Sequence, residues 1–499
     1  MSSTRVVVVG AGIGGLSAAL SLAAAGCEVT VVERAATPGG KARHVHVGGR
    51  AVDGGPTVFT MRWVFEELLG GAGFDLQAEL PLTELGLLAR HTWDEGGRLD
   101  LFTDTERSAA AITDLSGAAE ADRFRAFCRR SARVYESLER RFMAAPRPSL
   151  PGLIWRSGVS GLPGLLATSP FVNLWKALGE HFHDHRLQQL FGRYATYCGS
   201  SPWLSPSTLM LIAHAEKLGV WSVTGGMHGL AQVLERCATA CGARFIFGHA
   251  VERIEKRNGR ASAVALDDGR VIEADAIIWN GDTQPLADGR LGDAVRGAVP
   301  ARARTQRSLS ALTWCMAARA EGFPLTRHTV FFSRDYAAEF EDILVHRRLP
   351  RGPTVYVCAQ DRSDDGSAPA GEEGLLVLVN APADGDRGAP DAASLEACTE
   401  ATFGMLARCG LRLSSDPAAT VLTTPAGFEA LFPGSGGGLY GSASHGWQSS
   451  FTRPGSRSRV PGLYLAGGGV HPGAGVPMVS LSGQLAAQAL LQDRTARRI

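Results

Sequence analysis

The N-terminus carries the feature that most restricts the fold of this chain. Residues 5–9 are a nearly continuous run of valine, which is typical of a strand buried on both faces. The run leads directly into a glycine-rich turn, and an Ala- and Leu-rich helix is predicted over residues 16–25. A second strand, residues 28–32, follows and ends on Glu33. This strand–helix–strand order predicts a parallel, doubly wound sheet.

The turn has the spacing G-x-G-x-x-G at Gly10, Gly12 and Gly15. The first glycine permits the tight turn, the second lets a pyrophosphate approach the backbone, and the third allows helix and strand to pack closely. Free N–H groups at the start of the helix attract the diphosphate. Glu33 stands where an acid accepts hydrogen bonds from ribose hydroxyls. The pattern predicts a dinucleotide site but does not by itself separate NAD from FAD.

The composition excludes several classes of protein. Lys plus Arg total 50 and Asp plus Glu total 49, and this balance argues against a general nucleic-acid binder. Hydrophobic residues make up 45% of the chain, enough for a large core and two or three domains. The cysteines form no CxxC pair and no secretory pattern opens the sequence, so a reducing, cytoplasmic setting is expected. No uninterrupted apolar run is long enough for a membrane span.

Further motifs distinguish between the two cofactors. PGGKAR at residues 38–43 and DGGPT at residues 53–57 follow the second strand. Near the C-terminus, a strand at residues 462–466 enters the glycine-rich stretch 467–475, and a helix is predicted to begin at Val476 and to run to about residue 491. Together these motifs resemble the signature of the FAD-dependent amine-oxidase and carotenoid-desaturase superfamily.

The resemblance implies an α/β fold in which a Rossmann-like FAD-binding domain is interleaved with an α+β substrate domain, as in amine oxidases. FAD is the cofactor that it implies. The expected FAD-binding parts are residues 1–85, 222–290 and 451–499. The expected substrate domain comprises residues 86–221, with membrane-contacting helices at 123–178, and residues 291–450.

The resemblance also assigns residues to the cofactor. The backbone of Val251 is expected at the adenine region and Asn280 near the diphosphate. The helix that begins at Val476 is expected to face the flavin edge where negative charge grows on reduction. The full set of expected cofactor-binding residues is Gly10, Ala11, Gly12, Gly14, Gly15, Glu33, Arg34, Gly40, Lys41, Pro56, Thr57, Val251, Asn280, Gly468, Gly469, Val476, Pro477 and Met478.

Residues 184–221, together with residues 471–478, are most similar to the 1-hydroxycarotenoid 3,4-desaturases, the hydroxyneurosporene and methoxyneurosporene dehydrogenases. This similarity implies formation of a C-3,4 double bond in an acyclic 1-hydroxy- or 1-methoxycarotenoid, within carotenoid biosynthesis. A hydride would leave the allylic carbon for flavin N5, and a proton would leave the neighbouring carbon. The cofactor performs the chemistry, so no catalytic side chain and no proton acceptor are identified. The number of desaturation steps and the oligomeric state stay open.

A long apolar substrate requires an apolar tunnel, and aromatic side chains are candidates for its walls. Packing in the core is an equal interpretation for each of them. The candidates are Phe191, Tyr194, Tyr197, Trp203 and Trp221.

Two neighbouring segments suggest contact with a membrane. Residues 150–178 are apolar and aromatic but interrupted by Gly and Pro, and Trp155 and Trp175 could lie at headgroup level. Residues 123–147 are rich in Arg, which suits an anionic surface, although a solvated helix face beside a core helix pair explains them equally well. The expected location is the cytoplasm, peripherally on the inner face of the membrane, with oxygen or a quinone as electron acceptor.

Alternative functions remain open from the sequence. They are a phytoene desaturase, an amine or protoporphyrinogen oxidase of the same superfamily, and a flavin-binding carotenoid carrier. A metal site at His181, His183 and His185 is not expected, because their spacing on a helical segment would scatter the three rings around it. His471, beside the glycine-rich turn, is expected either to neighbour the flavin or to pack the loop.

Overall fold

The computed structural model describes residues 3–146, 152, 171–362 and 366–496. The strands are β1 (Arg5–Val9), β2 (Glu28–Glu33), β3 (His44–Val47), β4 (Arg50–Asp53), β5 (Leu82–Glu84), β6 (Leu87–Trp93), β7 (Arg98–Phe102), β8 (Trp221–Val223), β9 (Arg244–Phe247), β10 (Val251–Arg257), β11 (Arg260–Leu266), β12 (Val271–Glu273), β13 (Ala276–Trp279), β14 (Ser310–Glu321), β15 (His328–Phe332), β16 (Val355–Ala359), β17 (Glu373–Ala381), β18 (Arg412–Ser414), β19 (Thr420–Thr423) and β20 (Leu463–Leu465).

The helices are α1 (Ile13–Ala24), α2 (Trp63–Gly71), α3 (Leu76–Glu79), α4 (Thr105–Ser116), α5 (Ala118–Leu138), α6 (Leu174–His181), α7 (His185–Gly192), α8 (Leu211–Lys217), α9 (Gly226–Ala240), α10 (Gln284–Asp288), α11 (Tyr336–Phe340), α12 (Ala392–Arg408), α13 (Pro425–Leu431), α14 (Ser449–Thr452) and α15 (Val476–Ala496). Among the described residues, none of these helices has the length and apolar character that crossing a bilayer requires.

A parallel sheet with the order β20-β13-β1-β2-β9 forms the first unit. Side chains of β1 alternate between its two faces, as the pleat of a strand requires. Val6 and Val8 pack with the helices α1, α9 and α15. Val7 and Val9 pack toward the antiparallel sheet β10-β11-β12. The valine run is therefore buried on both faces because it serves two separate cores.

The topology of this sheet brings the distant motifs together. Strands β1, β13 and β20 are parallel neighbours, so their carboxyl ends lie at one edge of the sheet. Gly10 follows β1, Asn280 follows β13, and the stretch from Gly467 follows β20. Ligands of open parallel sheets bind at this edge.

The second unit is an eight-stranded sheet with the order β18-β14-β17-β16-β15-β6-β7, and β19 pairs with β14 outside this path. Strands β6 and β7 form an antiparallel hairpin at one end of this sheet. Helices α4 to α8 cover this end of the sheet through a core rich in phenylalanine.

Two local sequence patterns predict structures that the fold does not have. Short apolar runs separated by polar turns over residues 243–279 indicate an antiparallel meander, but β9 pairs in parallel with β2. The stretch 361–390, rich in Asp, Gly, Pro and Ser, indicates surface loops around one strand, but that strand, β17, is buried and central between β14 and β16. Its almost continuous apolar run is the pattern of a strand covered on both faces. The domain boundaries at residues 85, 221, 290 and 450 stay predictions.

Candidate active site

The glycine turn after β1 closes tightly on Asn280. A Cβ atom on Gly15 would lie 2.0 Å from the carbonyl oxygen of Gly10, and one on Gly14 would lie 2.6 Å from Oδ1 of Asn280. Gly10 has φ near +99°, in the region that favours glycine. The Asn280 amide Nδ2 donates to the Gly10 carbonyl oxygen over 3.2 Å. Asn280 therefore holds the turn from the neighbouring strand.

The start of α1 is suited to an anion. Gly12 is the N-cap residue, and no side chain caps the first N–H groups of the helix. The backbone of Gly40 packs against Gly12, where a Cβ on Gly40 would lie 3.2 Å from the Gly12 Cα atom. Bare N–H groups, a positive helix end and a floor of glycine backbone fit a pyrophosphate.

Glu33, the last residue of β2, is buried. Its Oε2 accepts from the backbone N–H of Ala11 over 2.7 Å, and its Oε1 accepts from that of Ala35 over 2.8 Å. Each carboxylate oxygen keeps a further lone pair for a ribose hydroxyl. The N–H of His249 donates to the Glu33 carbonyl oxygen, so Val251 lies near this end of the site, where adenine was expected. The arrangement fits the adenosine half of FAD.

Arg34 and Lys41 occupy different surroundings. Arg34 is exposed beside this end of the site. The Lys41 ammonium donates to the carbonyl oxygens of Gly438 and Leu439 over 3.3 and 2.8 Å. Burial lowers the pKa of Lys41 to about 8. Because the ammonium is committed to these carbonyls, the backbone of Lys41 is the part that can face the cofactor.

An arginine outside the sequence motifs holds the C-terminal glycine loop in place by hydrogen bonds. The buried guanidinium of Arg453 donates to the carbonyl oxygens of Gly468 and Ser442, both over 2.8 Å. Burial lowers its pKa, and no carboxylate forms an ion pair with it within the described part of the chain. Arg453 belongs to no recognised motif, and a single arginine in a loop gives no pattern by which it could have been found.

His471 packs the loop. Its Nε2 lies 3.0 Å from the carbonyl oxygen of Phe142 and 3.1 Å from that of Ala145, so this nitrogen carries a proton and donates. The ring also meets the edge of Phe142 at 5.2 Å. Of the two roles expected for His471, these contacts favour the packing role, which joins the glycine loop to the turn after α5.

A large cavity of about 690 Å³ lies between the two units. One end is formed by Pro56, Thr57 and residues 473–478, which come from two distant motifs. Apolar side chains form much of the remaining wall, among them Leu138, Phe142, Met143, Leu209, Leu211 and Ile212. The volume is within the range of ligand sites. The predicted residues Pro56, Thr57, Val476, Pro477 and Met478 therefore meet at one end of an apolar cavity.

A chain of polar groups begins at this end. The Thr57 hydroxyl lies 2.7 Å from the Tyr356 hydroxyl, which lies 2.7 Å from Nδ1 of His328. Burial lowers the pKa of His328 to about 3, so its ring is neutral. Burial likewise raises the pKa of Tyr356 well above its ordinary value. The wall beside Thr57 is thus polar but carries no charge in these groups.

Besides Arg453, two charged side chains on the cavity wall were not selected from the sequence. Glu216 accepts a hydrogen bond at Oε2 from the Tyr194 hydroxyl over 2.6 Å, and burial raises its pKa to about 7. Arg193 donates to the Tyr197 hydroxyl over 3.0 Å and lies over the rings of Tyr197 and Tyr356 at 5.3 and 5.1 Å. Both stand within largely apolar stretches of sequence, and this contrast is the signal that could have identified them.

The expected tunnel aromatics divide between the cavity and the core. Tyr197 lines the large cavity, and Tyr194 lines a small side pocket of about 30 Å³ beside it. Phe191 is fully buried against Phe127 and Phe182, with ring centroids at 4.6 and 5.1 Å. Phe191 lines neither pocket, and Phe124 also packs on it at 5.9 Å, so its contacts support core packing, the alternative interpretation.

Trp203 and Trp221 also pack away from the large cavity. Trp203 lies against Trp175, with ring centroids 4.6 Å apart. Trp221 meets the buried ring of Phe59 edge-on at 6.3 Å. Core packing, the alternative interpretation of these two side chains, is what their contacts support. Trp175, expected at headgroup level, is half-buried in its pair with Trp203, and Trp155 lies outside the described residues.

Some arginines of the arginine-rich segment form ion pairs with acids. Arg125 pairs with Glu106 and Asp122, over 2.6 and 2.7 Å. Arg140 pairs with Glu67 over 2.9 Å. These pairs favour the interpretation of this helix as a solvated face. The apolar segment that precedes residue 171 lies outside the described residues, apart from residue 152.

The three clustered histidines do not lie on one helical segment, as had been expected. His181 ends α6, His183 lies in the connection, and His185 begins α7. The Nε2 atom of His181 lies 3.1 Å from Arg130, and that of His185 lies 2.9 Å from Glu95. Each ring therefore has its own surroundings.

Comparison with known proteins identifies the family. The sequence profile of flavin containing amine oxidoreductases matches residues 13–491. The chain belongs to this family. This membership confirms the predicted superfamily, an FAD-dependent oxidoreductase, and FAD is the cofactor that the cradle described above fits.

Individual relatives refine the comparison. The chain is 53% identical to a hydroxyneurosporene desaturase from Rubrivivax gelatinosus, over 99% of this chain and 94% of that one. It is 30% identical to a 1-hydroxycarotenoid 3,4-desaturase from Flavobacterium sp. (strain P99-3), over 97% of this chain and 98% of that one. An oxidoreductase from Methanosarcina mazei has the same fold, with a TM-score of 0.64 at 18% identity over 98% of this chain and 100% of that one. These likenesses confirm the predicted fold class.

Proposed function

We propose that this protein is an FAD-dependent carotenoid desaturase that forms the C-3,4 double bond of an acyclic 1-hydroxy- or 1-methoxycarotenoid. The observation that carries the proposal is the apolar cavity that opens onto Pro56, Thr57 and residues 473–478. A polyene can lie along such a wall with one saturated bond beside the cofactor. The names of the relatives support the same substrate class.

The cavity positions the substrate and keeps water away from the reacting bond. Its apolar wall excludes water and holds the saturated bond next to the isoalloxazine position. FAD, when bound, supplies the acceptor for the hydride of the allylic carbon. The start of α15 at Val476 supports negative charge at this place, because the positive end of the helix points there. The polyene delocalises the developing cation, so a strong electrophile on the protein is not required.

Glu216 is the proposed proton acceptor. Its carboxylate is the acidic side chain among the described residues that line the large cavity. The pKa of about 7, raised by burial, leaves the group partly ionised and suited to general-base work near neutral pH. Tyr194 steadies the carboxylate by donating to Oε2, and Tyr197 also hydrogen-bonds to this side chain. A carboxylate offers about four lone-pair positions, so positions remain to receive the proton of the neighbouring carbon.

The proposal is tested by product analysis in a host that supplies hydroxyneurosporene. We expect a product with an absorption band shifted to longer wavelength, because conjugation is extended by one double bond. The purified holoenzyme should also lose flavin absorbance when it receives this substrate anaerobically. Conversion of phytoene in place of the hydroxylated substrate would identify a phytoene desaturase instead. Flavin reduction by amines but not by polyenes would contradict the proposal, and binding without flavin reduction would indicate a carrier.

Peripheral membrane contact is a further part of the proposal. Phe171 lies on the cavity lining, yet 73% of its surface is exposed, and it meets Trp447 edge-on at 5.1 Å. An exposed phenylalanine beside the half-buried Trp447, where a cavity meets the surface, suits the entry of a lipid-dissolved substrate. The membrane would be the cytoplasmic face of the inner membrane. We expect Phe171→Ser to weaken cosedimentation with vesicles, and unchanged cosedimentation would contradict this role.

The electron acceptor is proposed to be oxygen or a membrane quinone. The two are separated by reoxidation of the reduced holoenzyme, first with dissolved oxygen and then anaerobically with a quinone in vesicles. Faster reoxidation by the quinone is expected if the enzyme works at the membrane surface.

A further inference from the structure

Arg193 is an unusual wall residue for a cavity that receives a hydrocarbon. It lines both the large cavity and the side pocket, and its guanidinium is always charged. Within the described part of the chain, it forms no ion pair, and its side chain donates only to the Tyr197 hydroxyl. The stacking on Tyr197 and Tyr356 holds the guanidinium plane in place. Most of its five N–H donors therefore remain available to a ligand.

Other polar atoms near Arg193 also lack partners. The Tyr336 hydroxyl is buried and has no hydrogen-bond partner among the described residues, and the Thr354 hydroxyl is buried beside Glu339. Both residues line the large cavity. In the side pocket, Nε2 of His328 and Nδ1 of His91 are similarly unpartnered. Unpartnered buried polar groups are costly, so a cluster of them on one wall indicates a polar ligand or ordered water.

We propose that Arg193 binds the oxygen atom at C-1 of the carotenoid and thereby selects oxygenated substrates. This inference rests on the proposed function, because it takes the 3,4-desaturation of a 1-oxygenated carotenoid as given. Tyr336 and Thr354 contribute the neighbouring polar contacts. The side pocket has room for about one water molecule, which would complete the hydrogen bonds of the histidines.

The geometry agrees with the position of the reacting bond. The oxygen at C-1 is three bonds from C-3, which corresponds to about 4 Å in an extended chain. Recognition of this oxygen must therefore take place close to the cofactor. Only the side chain of Tyr356 separates Arg193 from Thr57, through a ring contact at 5.1 Å and a hydrogen bond of 2.7 Å. Thr57 belongs to the end of the cavity assigned to the flavin.

The chemistry of Arg193 also predicts which substrates should bind with similar affinity. A guanidinium only donates, and both a hydroxyl and a methyl ether oxygen accept. A site based on Arg193 therefore accepts hydroxy and methoxy substrates alike and disfavours the hydrocarbon. A site based on the Glu216 carboxylate would instead bind the hydroxyl and reject the ether. The positive charge does not oppose hydride loss strongly, because the cation spreads along the polyene away from C-1.

The test compares affinities in holoenzyme whose flavin has been reduced beforehand under anaerobic conditions, which cannot turn the substrate over. Three probes are titrated by the shift of their absorption bands: the 1-hydroxycarotenoid, its 1-methoxy analogue and the matching hydrocarbon without oxygen. We expect the first two to bind with similar affinity. Arg193→Met should reduce the preference for oxygenated probes over the hydrocarbon by about 10- to 100-fold.

Matched variants make the result specific. Tyr336→Phe should reduce the same preference by a few fold without changing the volume of the side chain, and Arg193→Lys should restore part of it. Arg107→Met is the control, because Arg107 also stacks on an aromatic ring, Phe102 at 4.1 Å, but at the protein surface. This control should leave the preference unchanged. Flavin content shows whether each variant is folded, and Tyr336→Phe decides the matter if Arg193→Met does not fold.

The outcomes separate the two proposals. An equal loss of affinity for all three probes in Arg193→Met would assign a purely structural role to Arg193 and overturn the inference. A preference that depends on Arg193 in an enzyme that forms no 3,4-product would overturn the proposed function and leave the recognition site standing. Preference for the hydroxyl with rejection of the ether would transfer recognition from Arg193 to Glu216.

Discussion

A methyl group on Gly15 would lie 2.0 Å from the carbonyl oxygen of Gly10, whereas the wall of the large cavity tolerates side chains as different as Ile212 and Tyr197. The glycine turn is built from backbone that leaves no space, so very few residue types fit and the spacing is visible in the sequence. The cavity is built from side chains of many segments, so its chemistry depends on contacts that no local spacing records.

The largest effect is expected in the glycine turn. Gly15→Ala should abolish FAD binding, because the added methyl group displaces Gly10 and with it the start of α1. The measurement is the ratio of flavin to protein absorbance after purification. Gly179→Ala is the control, since Gly179 lies in α6 and a Cβ there would meet nothing within 4 Å. Full flavin content in Gly15→Ala would show that the turn is less crowded than its backbone indicates.

On the cavity wall, Glu216→Gln should reduce kcat by about 10²- to 10⁴-fold while flavin content is retained. The wild-type kcat should rise with pH through about 7, because the ionised carboxylate is the base and burial raises its pKa to about 7. The residual activity of Glu216→Gln should lack this rise. The comparison uses the pH dependence of kcat for both enzymes. An identical rise in the variant would assign the titration to another group.

A substitution in the core beside the cavity should change the stability of the protein and not its substrate selectivity. Phe191→Ala leaves a void among Phe127 and Phe182 and should lower the free energy of unfolding by about 3–5 kcal/mol. Thermal unfolding followed by circular dichroism measures the loss. The ratio of activities on hydroxylated and hydrocarbon substrates should stay constant. A changed ratio would mean that Phe191 does shape the tunnel.

The sequence could predict the glycine turn, whereas it could not predict which side chains form the cavity wall. The glycine spacing and the acid at Glu33 indicated the parallel sheet and a dinucleotide site, because both belong to one strand–helix–strand unit. The motifs at residues 38–57 and 462–478 then indicated FAD. Aromatic character did not tell a wall residue from a core residue: Tyr197 lines the cavity, whereas Phe191, a few positions earlier, is fully buried. Arg453 contacts Gly468 only in the folded protein, where the two loops meet, so no sequence pattern predicts this contact.

The smallest expected effect concerns the stability cost of keeping Glu216 in the cavity wall. Burial raises its pKa to about 7, from an ordinary value of 4.5, so the folded protein holds a proton that the unfolded chain has released between these values. Folding stability should therefore fall as pH rises from about 5 to 8, by on the order of a few kcal/mol for this group. Glu216→Gln removes the titration, so its melting temperature should equal that of the wild type near pH 5 and exceed it near pH 8.

The exposed Glu180→Gln is the control, and its melting temperature should follow that of the wild type at every pH. A wild type that gains stability relative to Glu216→Gln as pH rises would show that Arg193 and Tyr194 stabilise the ionised carboxylate by more than its burial costs. The wall would then hold Glu216 as a permanent anion and not as a base that titrates near neutral pH.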